Sequence, residues 1–347
     1  MRLVPEPALA GLLRNLTKTQ ANQLLSGLSA SLETYSKQNA DPKATGPIHQ
    51  PLRTVMTTAE GNVRLFMPAA DAKTTSIKVV TVPKQGDIRG TISLFNQDGS
   101  LRGLLAAAEI TAFRTALASM TLLTRTSGVS KSEIVVFGAG RQAEWHARLA
   151  AILFAEEVSK ISFVNRSRGR MASMCEKLEV DLRKALPKLE IEQIARQDLS
   201  EEEYEERLRT TLSTAAVLHC CTPSTEPLFP HADLGKGPKF LSLIGSYKPH
   251  MQEIDSDTLL SGGSKVFVDS KHACLEEAGE IIKAGLGEGS LQEIGELFAS
   301  GDASVTASND KNVVFKCVGM GVMDMAVADS LLKIAEDQNI GQVVDGF

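Results

Sequence analysis

Residues 133–147, EIVVFGAGRQAEWHA, place a short apolar strand in front of a Gly-Ala-Gly turn that opens directly into a helix. Gly138, Gly140 and Ala143 fit the GxGxxA spacing. The first glycine permits the tight turn, the second lets backbone approach a pyrophosphate, and a small third residue lets the helix pack on the sheet. The helix start then offers free N–H groups and a positive dipole end to phosphates. A purely structural turn could use the same glycines. Here, however, KISFVNRS (160–167) follows as a second strand, which is the context a dinucleotide site requires. Gly138, Gly140, Arg141, Gln142 and Ala143 are therefore candidate cofactor-binding residues.

The end of that second strand bears on which dinucleotide is held. NAD-binding chains usually place Asp or Glu there to accept the ribose hydroxyls. This chain has Asn165-Arg166-Ser167-Arg168 instead. A cation beside a small hydroxyl suits a 2′-phosphate, so Asn165, Arg166 and Ser167 favour NADP(H) over NAD(H). The simpler alternative is that Arg166 stacks on adenine or faces solvent.

Around the turn the chain changes texture. Leu9, Leu12, Leu13 and Leu16, then Leu24, Leu25, Leu28 and Leu32, recur at helical spacing, and Thr17 with Gln20 three residues later can cap the second helix. Residues 46–110 read as an antiparallel meander, with turns at Glu60-Gly61-Asn62 and Asp98-Gly99. A helix is expected over 111–128. Strands at 133–137, 160–164, 189–194, 215–221, 239–244 and 265–269 follow, the first four separated by helices, which signals a parallel sheet covered on both faces. Residues 313–337 close with an apolar helix that returns to the first domain.

The length of 347 residues leads to an expectation of two domains, and the net charge of −5 with scattered basic residues gives no nucleic-acid footprint. The sequence shows neither a long apolar run nor a basic-then-apolar leader, so a cytoplasmic protein without membrane spans is expected. Five cysteines lack any CxxC pair and read as reduced core thiols. His219-Cys220-Cys221 alternates across a strand and is taken as structural, with no metal site expected.

Several segments together resemble the ornithine cyclodeaminase/mu-crystallin family. They are PLRTV (51–55), MPAAD (67–71), SIKVVTV (76–82), ITAFRTALAS (110–119), GAGRQA (138–143) and NRS (165–167). The match continues through CTPSTEPLF (221–229), GSYKPHMQEID (245–255), FVDSKHACLEEAGEI (267–281) and VVFKCVGMGVMDMAVA (313–328). The resemblance implies an α/β fold, with a Rossmann dinucleotide-binding domain (114–324) and an α+β dimerisation and substrate domain built from both chain ends (1–113 and 325–347). It also implies a homodimer acting on a small amino acid or cyclic imine carboxylate. It adds Thr222 and Gly245 to the cofactor-binding set. Arg53, Lys78 and Arg114 match the family's substrate-facing cations. Physically, the arginines can fork onto a carboxylate and Lys78 can also carry a proton. Lys78 and Arg114 lie in otherwise apolar segments, so they need a partner, and an anionic substrate would be one.

Two departures bear on the reaction. Ornithine cyclodeaminases carry an aspartate two residues after the glycine opening GSYKPHMQE, and this chain has Tyr247. They also carry an acid two positions before the Met-Pro pair, and this chain has Leu65. Without those carboxylates a distal ammonium has no partner. The resemblance therefore implies an NADPH-dependent reductase of a pyrroline- or piperideine-2-carboxylate type ketimine. Lys78, a bound water or Tyr247, in that order, would manage the imine proton. Ornithine cyclodeamination, an alanine-type amino-acid dehydrogenase and a non-catalytic NADPH- and ligand-binding protein stand as alternatives.

Overall fold

The computed structural model describes residues 1–40, 46–263, 265–300, 304–309 and 311–346. The chain folds into two compact units, Met1–Arg114 with Gly319–Phe347, and Thr115–Val318.

The first unit begins with β1 (Arg2–Val4), α1 (Glu6–Arg14) and α2 (Lys18–Asn39). Thr17 and Gln20 close a reciprocal capping box at the start of α2, satisfying two N–H groups that the helix cannot pair itself. The meander follows as β2 (Thr54–Thr57), β3 (Val63–Ala70), β4 (Thr75–Val82), β5 (Arg89–Phe95) and β6 (Leu101–Ala106). Its strands pair antiparallel in sequence order, while β1 adds parallel to β6. On β4 the buried residues alternate as Ser76, Lys78 and Val80, so the strand's pleat sends Lys78 to the covered face.

Helix α3 (Ala107–Leu123) carries the chain into the second unit. It starts and ends earlier than the expected 111–128. Thr126 and Ser127 instead form β7 (Thr126–Ser127), paired with Val305 and Thr306 far along the chain. The parallel system continues through β8 (Glu133–Phe137), α4 (Arg141–Leu153), β9 (Lys160–Asn165), α5 (Arg168–Leu182) and β10 (Glu190–Ala195). Next come α6 (Glu201–Thr214), β11 (Val217–Cys220), β12 (Phe240–Leu243), α7 (Ser256–Leu260) and β13 (Val266–Val268). After α8 (Lys271–Glu277) and α9 (Gly279–Lys283), β14 (Leu291–Glu293), α10 (Ile294–Ala299), β15 (Val305–Thr306) and β16 (Val313–Lys316) complete the unit.

The described strands order as β10-β9-β8-β11-β12-β16-β13-β14, all parallel. Such a sheet is buried on both faces, which is why Val135, Leu218, Leu241 and Val314 are all fully covered. The chain steps outward from β8 to β9 and β10, then returns to β11 on the other side. That reversal opens a crevice at the strands' C-terminal ends, where open α/β sheets bind ligands.

Residues 313–337 do close with an apolar helix that belongs to the first unit, but a strand precedes it. Val313–Lys316 is an interior strand between β12 and β13, and only α11 (Gly321–Asp337) belongs to the first unit, which β17 (Gln342–Val343) completes beside β1. Helix α11 packs on α2 and across β3 to β5. No described helix is long and apolar enough to cross a membrane.

Candidate functional site

The glycine turn in the second unit has the geometry a dinucleotide needs. Gly138 sits at φ +115°, and a Cβ there would lie 2.8 Å from the Cys221 carbonyl oxygen. Neither the angle nor the space admits a side chain. A Cβ on Gly140 would meet nothing within 4 Å, so its backbone faces open space. Gly140 caps α4 with no side-chain hydrogen bond, which leaves first-turn N–H groups, including those near Arg141 and Gln142, for an anion. Ala143 is fully buried under the helix, as the close packing of α4 requires.

Beside it lies a cavity of about 620 Å³ lined in part by Asn165, Arg166, Ser167, Arg196, Thr222 and Glu226. Asn165 donates to the Ser167 carbonyl at 2.8 Å and fixes the loop after β9. Ser167 caps α5 without a side-chain hydrogen bond. The neighbouring Arg168 is ion-paired with Asp198. The end of β9 lacks a carboxylate, but the cavity does not, because Glu226 reaches it from the loop after β11.

Thr222 and Gly245 also lie at this edge, in the loops after β11 and β12, but their N–H groups are already engaged. Glu253 accepts from both, each at 2.7 Å. A Cβ at Gly245 would fall 1.9 Å from the Thr222 carbonyl oxygen, so the two loops touch. Glu253 is completely buried. Burial pushes its carboxyl up to about 7 against the pull of Lys316, with Glu280 adding to the rise. Its own N–H donates to Glu280 at 2.9 Å, and Lys316 Nζ donates to the Ser246 carbonyl at 2.5 Å. This buried network holds both loops, and sequence reading missed it. The available signal was a charged residue inside an apolar run, such as Lys316 in VVFKCV.

The first unit gathers the expected cations. Lys78 on β4 lies 2.5 Å from an Asp324 carboxylate oxygen, and Arg114 Nε donates to the other oxygen at 3.0 Å. All three side chains are almost fully buried. Arg53, half-buried just before β2, is close enough to act on Lys78 electrostatically. Burial pulls the Lys78 ammonium down to about 8; Asp324 resists that fall, while Arg114 and Arg53 add to it.

The buried cations do not depend on a substrate for a counter-charge, because the protein supplies one. Asp324 stands in the first turn of α11, where the helix dipole favours an acid. Gly319, at φ +89°, lies so close to the Arg114 guanidinium that a Cβ would overlap it, which fixes the arginine's place. Tyr247 belongs to the second unit, 37% exposed, with Lys248 over its ring.

A parallel sheet with this glycine turn and crevice defines the second unit as a Rossmann-type nucleotide-binding fold, in one chain with the first unit made from both chain ends. The chain belongs to the ornithine cyclodeaminase/mu-crystallin family, whose model matches residues 16–339. It is 27% identical over 310 residues to a Delta(1)-pyrroline-2-carboxylate reductase from Bacillus cereus, covering 85% of this chain and 89% of the relative. It is 26% identical over 322 residues to the mouse ketimine reductase mu-crystallin, covering 88% and 90%. Among solved structures, Thermococcus litoralis Delta(1)-pyrroline-2-carboxylate reductase, in complex with NADH and L-proline, superposes with a TM-score of 0.79 at 22% identity, covering 99% of this chain and all of that one.

Proposed function

We propose that this protein is an NADPH-dependent reductase of a small cyclic ketimine carboxylate, of the pyrroline- or piperideine-2-carboxylate type. The observation that carries the reading is the buried group of Lys78, Arg114 and Asp324 with Arg53 beside it. Arginine forks suit a carboxylate, and the Delta(1)-pyrroline-2-carboxylate reductase among the relatives is named for a substrate of that kind.

In this reading Arg53 and Arg114 bind the substrate carboxylate and fix the orientation of the C=N bond. Lys78, with an ammonium near the top of the neutral range, donates a proton to the imine nitrogen as the carbon accepts hydride. Asp324 holds Lys78 and Arg114 in place and favours the charged ammonium. The bound dinucleotide supplies the hydride. Gly138, Gly140, Arg141 and Gln142 would hold its pyrophosphate, Ala143 would let α4 pack closely enough for them to do so, and Arg166 with Ser167 would receive the 2′-phosphate. Glu226 is the group that would favour NAD(H), and Arg166 is proposed to outweigh it. Thr222 and Gly245 line the crevice through atoms other than the N–H groups that Glu253 takes. Leu52, Val55 and Met56, exposed on and beside the edge strand β2, support self-association into a homodimer.

The test is a substrate panel with the purified protein. NADPH oxidation is expected with pyrroline-2-carboxylate or piperideine-2-carboxylate, and little with pyruvate plus ammonia. Proline formation from ornithine with NAD, and no oxidation with either imine, would overturn the reading.

A further inference from the structure

The cavity beyond the glycine turn contains an arginine that the motif reading did not include. Strands β9 and β10 pair in parallel with Asn165 opposite Ala195, so the next residues, Arg166 and Arg196, leave the sheet side by side. Adjacent strands are only about 4.8 Å apart. Gln197 N–H donates to the Arg166 carbonyl at 3.1 Å and ties the two loops together. Both arginines line the same cavity as Ser167.

Two arginines that line one cavity repel when their guanidinium groups approach, unless something compensates. Glu201, in the first turn of α6, pairs with Arg196 through Nε and one terminal nitrogen. The Arg196 guanidinium also lies 5.4 Å from the centre of the Tyr204 ring. One edge of the group and its plane are therefore held, while the second terminal nitrogen has no hydrogen bond to a described residue. An arginine fixed in this way loses little freedom when it meets a phosphate.

We infer that Arg196 is a second specificity residue for the dinucleotide, reading the 2′-phosphate together with Arg166, and that Glu201 and Tyr204 hold it ready. This rests on the NADP(H) reading above and extends it to a residue on the neighbouring strand. A phosphate between two arginines and the Ser167 hydroxyl meets charge-assisted donors from two loops. NADH has only a ribose hydroxyl there and makes no ionic contact with either arginine.

The experiment measures NADPH and NADH dissociation constants for the full-length protein and for Arg166→Ala and Arg196→Ala. Arg196→Ala is expected to weaken NADPH roughly ten-fold or more, while NADH changes by no more than about two-fold. Retained NADH binding also reports that the variant is folded. If Arg196→Ala weakens both equally or neither, while Arg166→Ala remains selective, the role of Arg196 is overturned and the NADP(H) reading stands. If the unmodified protein binds NADH as tightly as NADPH, the NADP(H) reading fails and this inference fails with it.

Discussion

At the scale of single residues, the balance around Lys78 matters most. Its ammonium sits near 8 because burial and two arginines oppose charge while Asp324 supports it. A proton donor must be protonated, so kcat/KM for imine reduction is expected to fall as pH rises past about 8. Asp324→Asn removes the supporting charge but leaves Arg114 a hydrogen-bond acceptor. That falling limb should move to lower pH, and the maximum rate should drop by about a hundred-fold. A pH–rate profile of the variant checks this, and an unmoved limb would remove Asp324 from the role. Lys78 and Arg114 stood out in the sequence as charges within apolar segments. Asp324 has the same signal in GVMDMAVA, yet nothing local pairs it with Lys78, because the partners are 246 residues apart.

At the scale of elements, strand–turn–helix chemistry was readable wherever its causes are local. Gly138 is required by its φ of +115° and by the nearby Cys221 carbonyl. Gly138→Ala should cost about 1–3 kcal/mol of stability and weaken dinucleotide binding, measured by thermal melting and by titration. An unchanged melting temperature would show that the loop relaxes without strain. The Thr17–Gln20 capping box was likewise legible, since its donors and acceptors lie three residues apart. The end of α3 was not. Thr126 and Ser127 leave the helical pattern to pair with Val305 and Thr306, a choice made by residues some 180 positions away. VVFK was hidden for a similar reason, because an interior parallel strand buried on both faces carries no alternation to read.

At the scale of the whole molecule, buried ionisable groups make stability depend on pH. Glu253 titrates at about 7 in the fold, against an ordinary 4.5. Between those values the folded chain binds the proton more strongly than the unfolded one, so this group's contribution to stability is full below 4.5 and is lost as pH rises to about 7. Glu253→Gln should lower the melting temperature, because one acceptor for Thr222 or Gly245 is lost, and should flatten its dependence on pH across that window. A slope equal to that of the unmodified protein would assign the titration elsewhere. The α/β class, the dinucleotide turn, the family and the three cations were set by the sequence alone, because period, turn geometry and motif spacing are properties of neighbouring residues. Only the tertiary structure decided that Asp324 answers Lys78 and Arg114, that Glu253 clamps the loops at Thr222 and Gly245, and that Arg196 stands beside Arg166. Each of these depends on which strands and helices pack together, and burial makes such charges take partners from any part of the chain.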